Sequence, residues 1–159
     1  MRLAVLPVRW AVVLGTLTLS IGSAHGEAPK DAARAAYARG EAATKAGDLR
    51  SAAEAFDAAD RLVPSPVAIE SAVGAAVQTN DPLLVMTLVD RAEATGRAGL
   101  ASVVGAKATF ARQTALLRFP CAEEAPPCSV TVDGSAQSGA SKRVLPGSHS
   151  VQLTLAKAI

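Results

Sequence analysis

Residues 40–64, GEAATKAGDLRSAAEAFDAADRLVP, contain the end of one helix pattern and the whole of a second. Gly47 suits the C-terminal cap of the first helix, and Asp48 suits the N-terminal cap of the next. Pro64 then stops the second helix, because proline lacks the backbone N–H that a helix interior needs. Between these signals apolar side chains recur every three or four residues, as in an amphipathic helix: Leu49, Ala52, Ala53, Phe56, Ala59, Leu62 and Val63. The stretch therefore predicts a helical hairpin.

Similar start signals lie on both sides of this hairpin. The first helix is expected to begin near Pro29, a third at Ser65-Pro66 and a fourth at Asp81-Pro82. A capping residue followed by proline is typical of a helix N-terminus. A fifth helix is predicted over residues 100–117. Since the whole region is rich in alanine, the best helix former, we predict about five helices in residues 27–118.

The helix pattern repeats along the chain. Gly40 and Gly74 are 34 residues apart, and the caps Asp48 and Asp81 are 33 apart. A period near 34 with two helices in each unit is typical of tetratricopeptide repeats. Five residues of the first unit stand at the spacings of that family's packing positions: Gly40, Ala52, Phe56, Ala59 and Pro64. Residues 27–118 thus resemble a tetratricopeptide-repeat array.

The second unit departs from the family's pattern. Met86, Asp90 and Glu93 occupy positions where the resemblance would place alanine, an aromatic residue and alanine. The third unit keeps Gly105 but has only one helix pattern. Since arrays of fewer than about three repeats rarely stand alone, the last helix is expected to cap the array, or else a partner stabilises the chain.

After Phe119 the composition changes from helical to strand-like. Residues 129–132 alternate and are β-branched, and Asp133-Gly134 is a turn signal. Residues 143–145 and 148–155 continue the pattern beyond a Ser/Gly/Ala stretch at 135–141. We expect three short strands in an antiparallel meander that docks on the last helix, because so small a β module rarely folds alone.

Two segments of this region resemble the PEGA domain. Val130-Thr131-Val132-Asp133-Gly134 is similar to that family's strand ending in Val-Asp-Gly. Residues 145–151, LPGSHSV, are similar to its later Pro-Gly-x-His-x-Val segment. The predicted fold class is therefore α+β, with α-helical hairpin repeats followed by a small antiparallel PEGA-like β module at 119–159.

Residues 1–26 have the layout of a cleavable secretory signal. Arg2 and Arg9 precede and border an uncharged apolar run at 10–21, and small residues follow at 22–26. Cleavage is expected after Ala24 or Gly26; the alternative is an uncleaved membrane anchor. The signal predicts export to the periplasm, the extracellular space or the cell envelope.

Export changes the chemistry expected of the mature chain. Without Arg2 and Arg9 it holds 14 basic and 14 acidic residues, so it carries no net charge with which to attract nucleic acid. No second long apolar run predicts a transmembrane helix. Cys121 and Cys128 both lie in the exported part, where two cysteines are expected to pair as a disulfide. The alternative, a metal site, would need more ligands than His149 can add, so no metal or cofactor is predicted.

The ionisable residues do not form a recognisable catalytic pattern. His149 is interpreted as a turn-flanking residue that packs or hydrogen-bonds locally, and Asp133 as a turn residue. Asp57 and Asp60, beside Arg61, are interpreted as a solvated helix face. No catalytic residues are assigned, and the chain is predicted to be non-enzymatic.

The first helix of each hairpin lines the concave face in arrays of the kind that this sequence resembles. Tyr37 is the sharpest candidate on that face, since an aromatic side chain on a polar face can anchor a partner. The predicted partner-binding residues are Arg34, Tyr37, Glu41, Thr44, Lys45, Ser71 and Gln78. They predict an adaptor for a protein or peptide of the cell envelope, with the β module serving envelope association. The rival hypothesis is a carbohydrate- or cell-wall-binding β module with the helices as a spacer, and a third is self-association through the helices.

Overall fold

A computed structural model describes residues 27–119, 128–137 and 139–155, without the side chains of Cys128 and Leu155. The predicted signal at 1–26 and the predicted Cys121–Cys128 disulfide lie outside these residues. In the described part, five helices precede two small antiparallel sheets. This arrangement confirms the α+β fold class.

The five helices follow one another with short connections. They are α1 (Ala28–Lys45), α2 (Leu49–Leu62), α3 (Pro66–Thr79), α4 (Pro82–Ala94) and α5 (Ala101–Phe110). Helix α1 packs along α2, and α2 packs along α3. Among the described helices, none combines the length and the apolar character that crossing a membrane would require.

The predicted caps form as the sequence indicates. The carboxylate of Asp48 accepts a hydrogen bond from the Ser51 N–H at 3.1 Å, at the start of α2. Ser65 Oγ accepts from the Ala68 N–H, and Asp81 Oδ1 accepts from the N–H groups of Leu83 and Leu84. Each cap satisfies backbone donors that have no partner inside the helix. Gly47, just beyond α1, has a φ of 77°, a left-handed conformation that glycine adopts without strain.

The first hairpin is held by a close contact between a glycine and an aromatic ring. Gly40 of α1 is buried against Phe56 of α2, and a Cβ added at Gly40 would lie 2.6 Å from two ring atoms. The Tyr37 ring packs on the same phenyl ring with 4.9 Å between centroids. The remaining core runs through α2, α3, α4 and α5, with Ile69 and Met86 fully buried.

Five strands form the C-terminal part of the described chain. They are β1 (Ala115–Arg118), β2 (Cys128–Val132), β3 (Ser135–Gln137), β4 (Ser141–Val144) and β5 (Val151–Leu155). One sheet pairs β1 with β4, and the other has the order β3-β2-β5. The two sheets share a small core in which Val130, Val132 and Val144 are buried against Leu117 and Phe119.

Two predictions about this region are wrong. The fifth helix does not extend to residue 117: it ends at Phe110, a short 3-10 turn follows, and residues 115–118 form β1. The predicted three-stranded meander is also wrong, because the Ser/Gly/Ala stretch contains β3 and β4 pairs with β1 instead of joining β2 and β5. In both cases backbone pairing with a strand distant in sequence overrides the local pattern.

The predicted turn at Asp133-Gly134 is confirmed. It joins β2 to β3, and both residues have positive φ values, 51° and 76°. A two-residue hairpin turn of this kind matches the natural twist of the strands it connects. His149 also forms local hydrogen bonds beside this turn, as predicted.

An arginine of the β module binds the helices directly. Arg143 of β4 forms a bidentate ion pair with Asp90 of α4, in which Nε–Oδ2 and Nη2–Oδ1 are both 2.6 Å. The third guanidinium nitrogen donates to Thr114 Oγ1 at 3.0 Å. Asp90 stands 34 residues after Phe56, at the position where the repeat pattern would place an aromatic side chain. The second unit thus has a docking carboxylate where the first has a packing ring.

Candidate functional site

Helices α1, α3 and α5 together form one surface of the molecule, here called the odd-helix face. Tyr37 of α1 reaches Ser71 of α3, with 3.3 Å between the two hydroxyl oxygens. These residues are 34 apart and so occupy equivalent positions in successive units. Helices α3 and α5 are also in contact. Three grooves lie along this face.

The first groove lies between the N-terminal halves of α1 and α3, over the end of α2. It has a volume of about 270 Å³, and its walls are mostly apolar. Its lining residues are Lys30, Ala33, Arg34, Tyr37, Ala59, Val63, Ser65 and Ala68. Lys30 and Arg34 lie close to Glu27 and Asp31, and these four residues line a further small hollow. The four charges cancel, so the rim of the first groove has no net charge.

The second and third grooves meet at a glycine. The second, of about 290 Å³, is lined by Thr44, Phe56, Ser71, Gly74, Ala75 and Gln78. The third, of about 360 Å³, is lined by Val73, Gly74, Val77, Ala101, Ser102, Gly105, Ala106 and Thr109. Gly74 borders both, and a Cβ at Gly74 or Gly105 would have no neighbouring atom within 4 Å. The two grooves therefore form one trough across α1, α3 and α5.

Five of the seven predicted partner-binding residues line these grooves. Arg34 and Tyr37 border the first, and Thr44, Ser71 and Gln78 border the second. Thr44 Oγ1 donates to the Gly40 carbonyl at 2.9 Å, and the Gln78 side-chain amide donates to the Gly74 carbonyl at 3.2 Å. Glu41 and Lys45 are exposed on α1 and do not line these three grooves.

Tyr37 differs from the exposed anchor that the sequence predicted. Its ring is half-buried against Phe56, and its hydroxyl reaches Ser71. It therefore connects α1, α2 and α3 while presenting one edge to the first groove. Arg34 is the exposed member of the pair: its side chain is 80% accessible, and it makes an ion pair with Asp31 at 3.3 Å.

The third helix of the face was missed from the sequence. Ala101, Ser102, Gly105 and Thr109 of α5 line the third groove, yet none was predicted as a binding residue. The repeat spacing could have identified them, because a step of 34 residues from Ser71 reaches Gly105. Ser102 Oγ is buried and has no hydrogen-bond partner among the described residues.

The prediction that Asp57 and Asp60 form a solvated face is wrong. Asp60 is 1% exposed, and its carboxylate accepts from Arg91 Nη1 at 2.6 Å and from Arg97 Nη2 at 3.0 Å. Arg97 Nη1 also donates to Asp60, and Arg91 forms a second ion pair with Asp57. The reason is tertiary: the arginines arrive from α4 and the α4–α5 connection, 31 and 37 residues further along the chain.

This ion cluster supports one wall of the first groove. Burial pushes the pKa of Asp60 upward, but hydrogen bonds from Arg97, the Ser65 N–H and Arg91 outweigh burial and hold that pKa below its usual value. The Ser65 N–H donates to Asp60 Oδ1 at 2.8 Å, and Ser65 itself lines the groove. The cluster thereby fixes the turn between α2 and α3.

Comparison with protein-family models, with curated proteins and with solved structures finds no match to this chain.

Proposed function

We propose that this chain is an exported, non-enzymatic adaptor that binds a segment of a partner protein along the odd-helix face. The observation that carries the proposal is the trough joined at Gly74, which extends the surface across three helices. A single closed cavity would suit a small molecule, whereas an elongated trough suits a chain that crosses several helices.

The chemistry of the trough suits an uncharged or weakly charged peptide. Its second groove offers the hydroxyl and amide groups of Thr44, Ser71 and Gln78 beside the apolar edge of Phe56. Its third groove is floored by small and aliphatic side chains, and Gly74 and Gly105 leave space that side chains of a partner can fill. Because the charges at the rim of the first groove cancel, affinity should depend more on shape and apolar contact than on salt.

The tetratricopeptide-like and PEGA-like patterns support the same proposal. In it, the helices carry the binding face and the β module associates with the cell envelope, outside the cytoplasm. The Asp90–Arg143 ion pair supports a defined orientation of the module relative to α4.

The trough can be tested by filling it. Gly74→Leu places a branched side chain where both grooves meet and where a Cβ has no neighbour within 4 Å, so the helices should keep their packing. Random peptides displayed on phage are selected with the mature chain, and the enriched peptides are measured by fluorescence polarisation. Gly74→Leu should weaken their binding at least about tenfold, equivalent to about 1.4 kcal/mol.

The matched control is Ala35→Leu, which adds the same side chain at an exposed α1 position that does not line these grooves. This variant should bind the selected peptides as the unchanged protein does. The proposal fails if no peptide is enriched, or if Gly74→Leu binds as well as Ala35→Leu. Sedimentation with purified peptidoglycan, unaffected by Gly74→Leu, would instead support a wall-binding β module.

A further inference from the structure

The carboxylate of Asp133 connects two turns of the β module. Its backbone occupies the hairpin turn between β2 and β3, with a φ of 51°. Its Oδ1 accepts from the Ser150 N–H at 2.9 Å, and its own N–H donates to the Ser150 carbonyl at 2.8 Å. Its Oδ2 lies 2.7 Å from His149 Nδ1. The start of β5 is thereby attached to this turn.

The second ring nitrogen of His149 faces another acceptor. His149 Nε2 lies 2.7 Å from the carbonyl oxygen of Leu145, at the end of β4. A carbonyl oxygen can only accept a hydrogen bond, and an ionised carboxylate can only accept as well. Neutral imidazole carries one N–H, so it can serve one of these two oxygens but not both. Only the imidazolium ion donates to both at once.

We propose that His149 is a protonated clasp that holds the connection between β4 and β5 against the Asp133-Gly134 turn and releases it when the ring loses a proton. The clasp spans residues 145–150, which join the strand that docks on α4 through Arg143 to the outer strand of the three-stranded sheet. Loss of the proton leaves either Leu145 O or Asp133 Oδ2 facing a ring nitrogen that has no hydrogen to donate.

The charged groups around the ring favour the protonated form. The hydrogen bond to the Leu145 carbonyl and the hydrogen bond to the Asp133 carboxylate raise the pKa of His149, and they outweigh the opposing effects of burial and of the Lys142 ammonium on β4. The same contact with His149, and then the Ser150 N–H, lower the pKa of Asp133. The ring and the carboxylate thus carry opposite charges across the pH range between their two pKa values.

The sign of the pH dependence follows from the raised pKa. A histidine that binds its proton more tightly in the folded chain stabilises the fold fully below its unfolded pKa of about 6.5. That contribution is lost as the pH rises through the higher pKa of the folded state. The β module should therefore be held most firmly in mildly acidic solution and should loosen as the solution becomes alkaline.

The protonation state can be read directly by long-range ¹H–¹⁵N NMR of the histidine rings in the full chain. The signals of His149 are assigned by their disappearance in His149→Gln. Near neutral pH both ring nitrogens should carry protons. Amide exchange of residues 146–150, corrected for the intrinsic pH effect, should speed up above the titration midpoint. A single neutral tautomer near neutral pH would overturn the proposal without requiring any variant to fold.

Two charge-neutralising variants test the cause. Asp133→Asn should shift the His149 midpoint to lower pH, and Lys142→Met should shift it to higher pH, because the first removes a favourable charge and the second an opposing one. Ser148→Ala, at an exposed position within the same connection, should leave the midpoint unchanged. A midpoint that is insensitive to Asp133→Asn in a folded variant would show that the ring is not clasped by that carboxylate.

Discussion

At the scale of single residues, the environment of Asp60 shows how far solvation depends on tertiary contacts. Its carboxylate is buried with two guanidinium groups, and a backbone N–H completes its hydrogen bonds. Removing two opposite charges from water is costly, and mutual attraction offsets that cost only while both partners are present. The cluster should therefore be sensitive to the loss of its single shared acceptor.

We predict that Asp60→Asn lowers the free energy of unfolding by roughly 3–5 kcal/mol, because Arg91 and Arg97 stay buried without the charge that compensates them. Urea unfolding followed by circular dichroism measures this difference. Asp31→Asn is the matched control: Asp31 is 70% exposed and pairs with the exposed Arg34, so its loss should cost less than about 1 kcal/mol. Equal costs for the two variants would contradict the buried network.

At the scale of secondary structure, the two hairpins use the same glycine position differently. Gly40 admits the Phe56 ring, whereas Gly74 faces open space in the trough. The difference follows from the partner helix, since Asp90 stands where the second unit would otherwise have an aromatic ring. A glycine that closes a helix pair in one unit thus opens a groove in the next.

Adding one methyl group at each glycine should change stability in opposite directions. Gly40→Ala should destabilise the fold by about 1–3 kcal/mol, because the new Cβ would overlap the Phe56 ring. Gly74→Ala should stabilise it by about 0.5–1 kcal/mol, because alanine favours the helix and meets no atom there. Thermal and urea unfolding of both variants measure the two effects. If both variants were stabilised, the close contact at Gly40 would be refuted.

At the scale of the whole molecule, the β module is attached to the helices by side chains far apart in sequence. Asp90 and Arg143 are separated by 53 residues and meet with two parallel hydrogen bonds. The guanidinium is 14% exposed, so solvent screens this pair less than it screens a typical surface pair. The geometry is also the planar, bidentate one in which arginine exceeds lysine.

A double-mutant cycle with Asp90→Ala and Arg143→Ala should give a coupling energy of roughly 1–2 kcal/mol. The same cycle on Glu93 and Lys107, where the lysine side chain is 51% exposed, should give less than about 0.5 kcal/mol. Both energies come from urea unfolding of the single and double variants. A coupling at Asp90–Arg143 no larger than that of the exposed pair would show that this contact does not hold the module.

The sequence by itself predicted the features that depend on a few neighbouring residues. The caps at Asp48 and Asp81 and the turn at Asp133 need only a side chain and the backbone beside it. The hairpin contact of Gly40 with Phe56 also follows from local spacing, since antiparallel helices joined by a short connection must face each other. Five helices followed by a β region could be predicted for the same reason.

The tertiary structure alone decided the features that join distant segments. Residues 115–118 became a strand because β4 pairs with them, although their composition also suits a helix. Asp60 became buried because two arginines from later helices reach it, and α5 joined the binding face by packing on α3. In each case the free energy depends on desolvation and on partners 30 or more residues away, and neither is encoded in a local pattern.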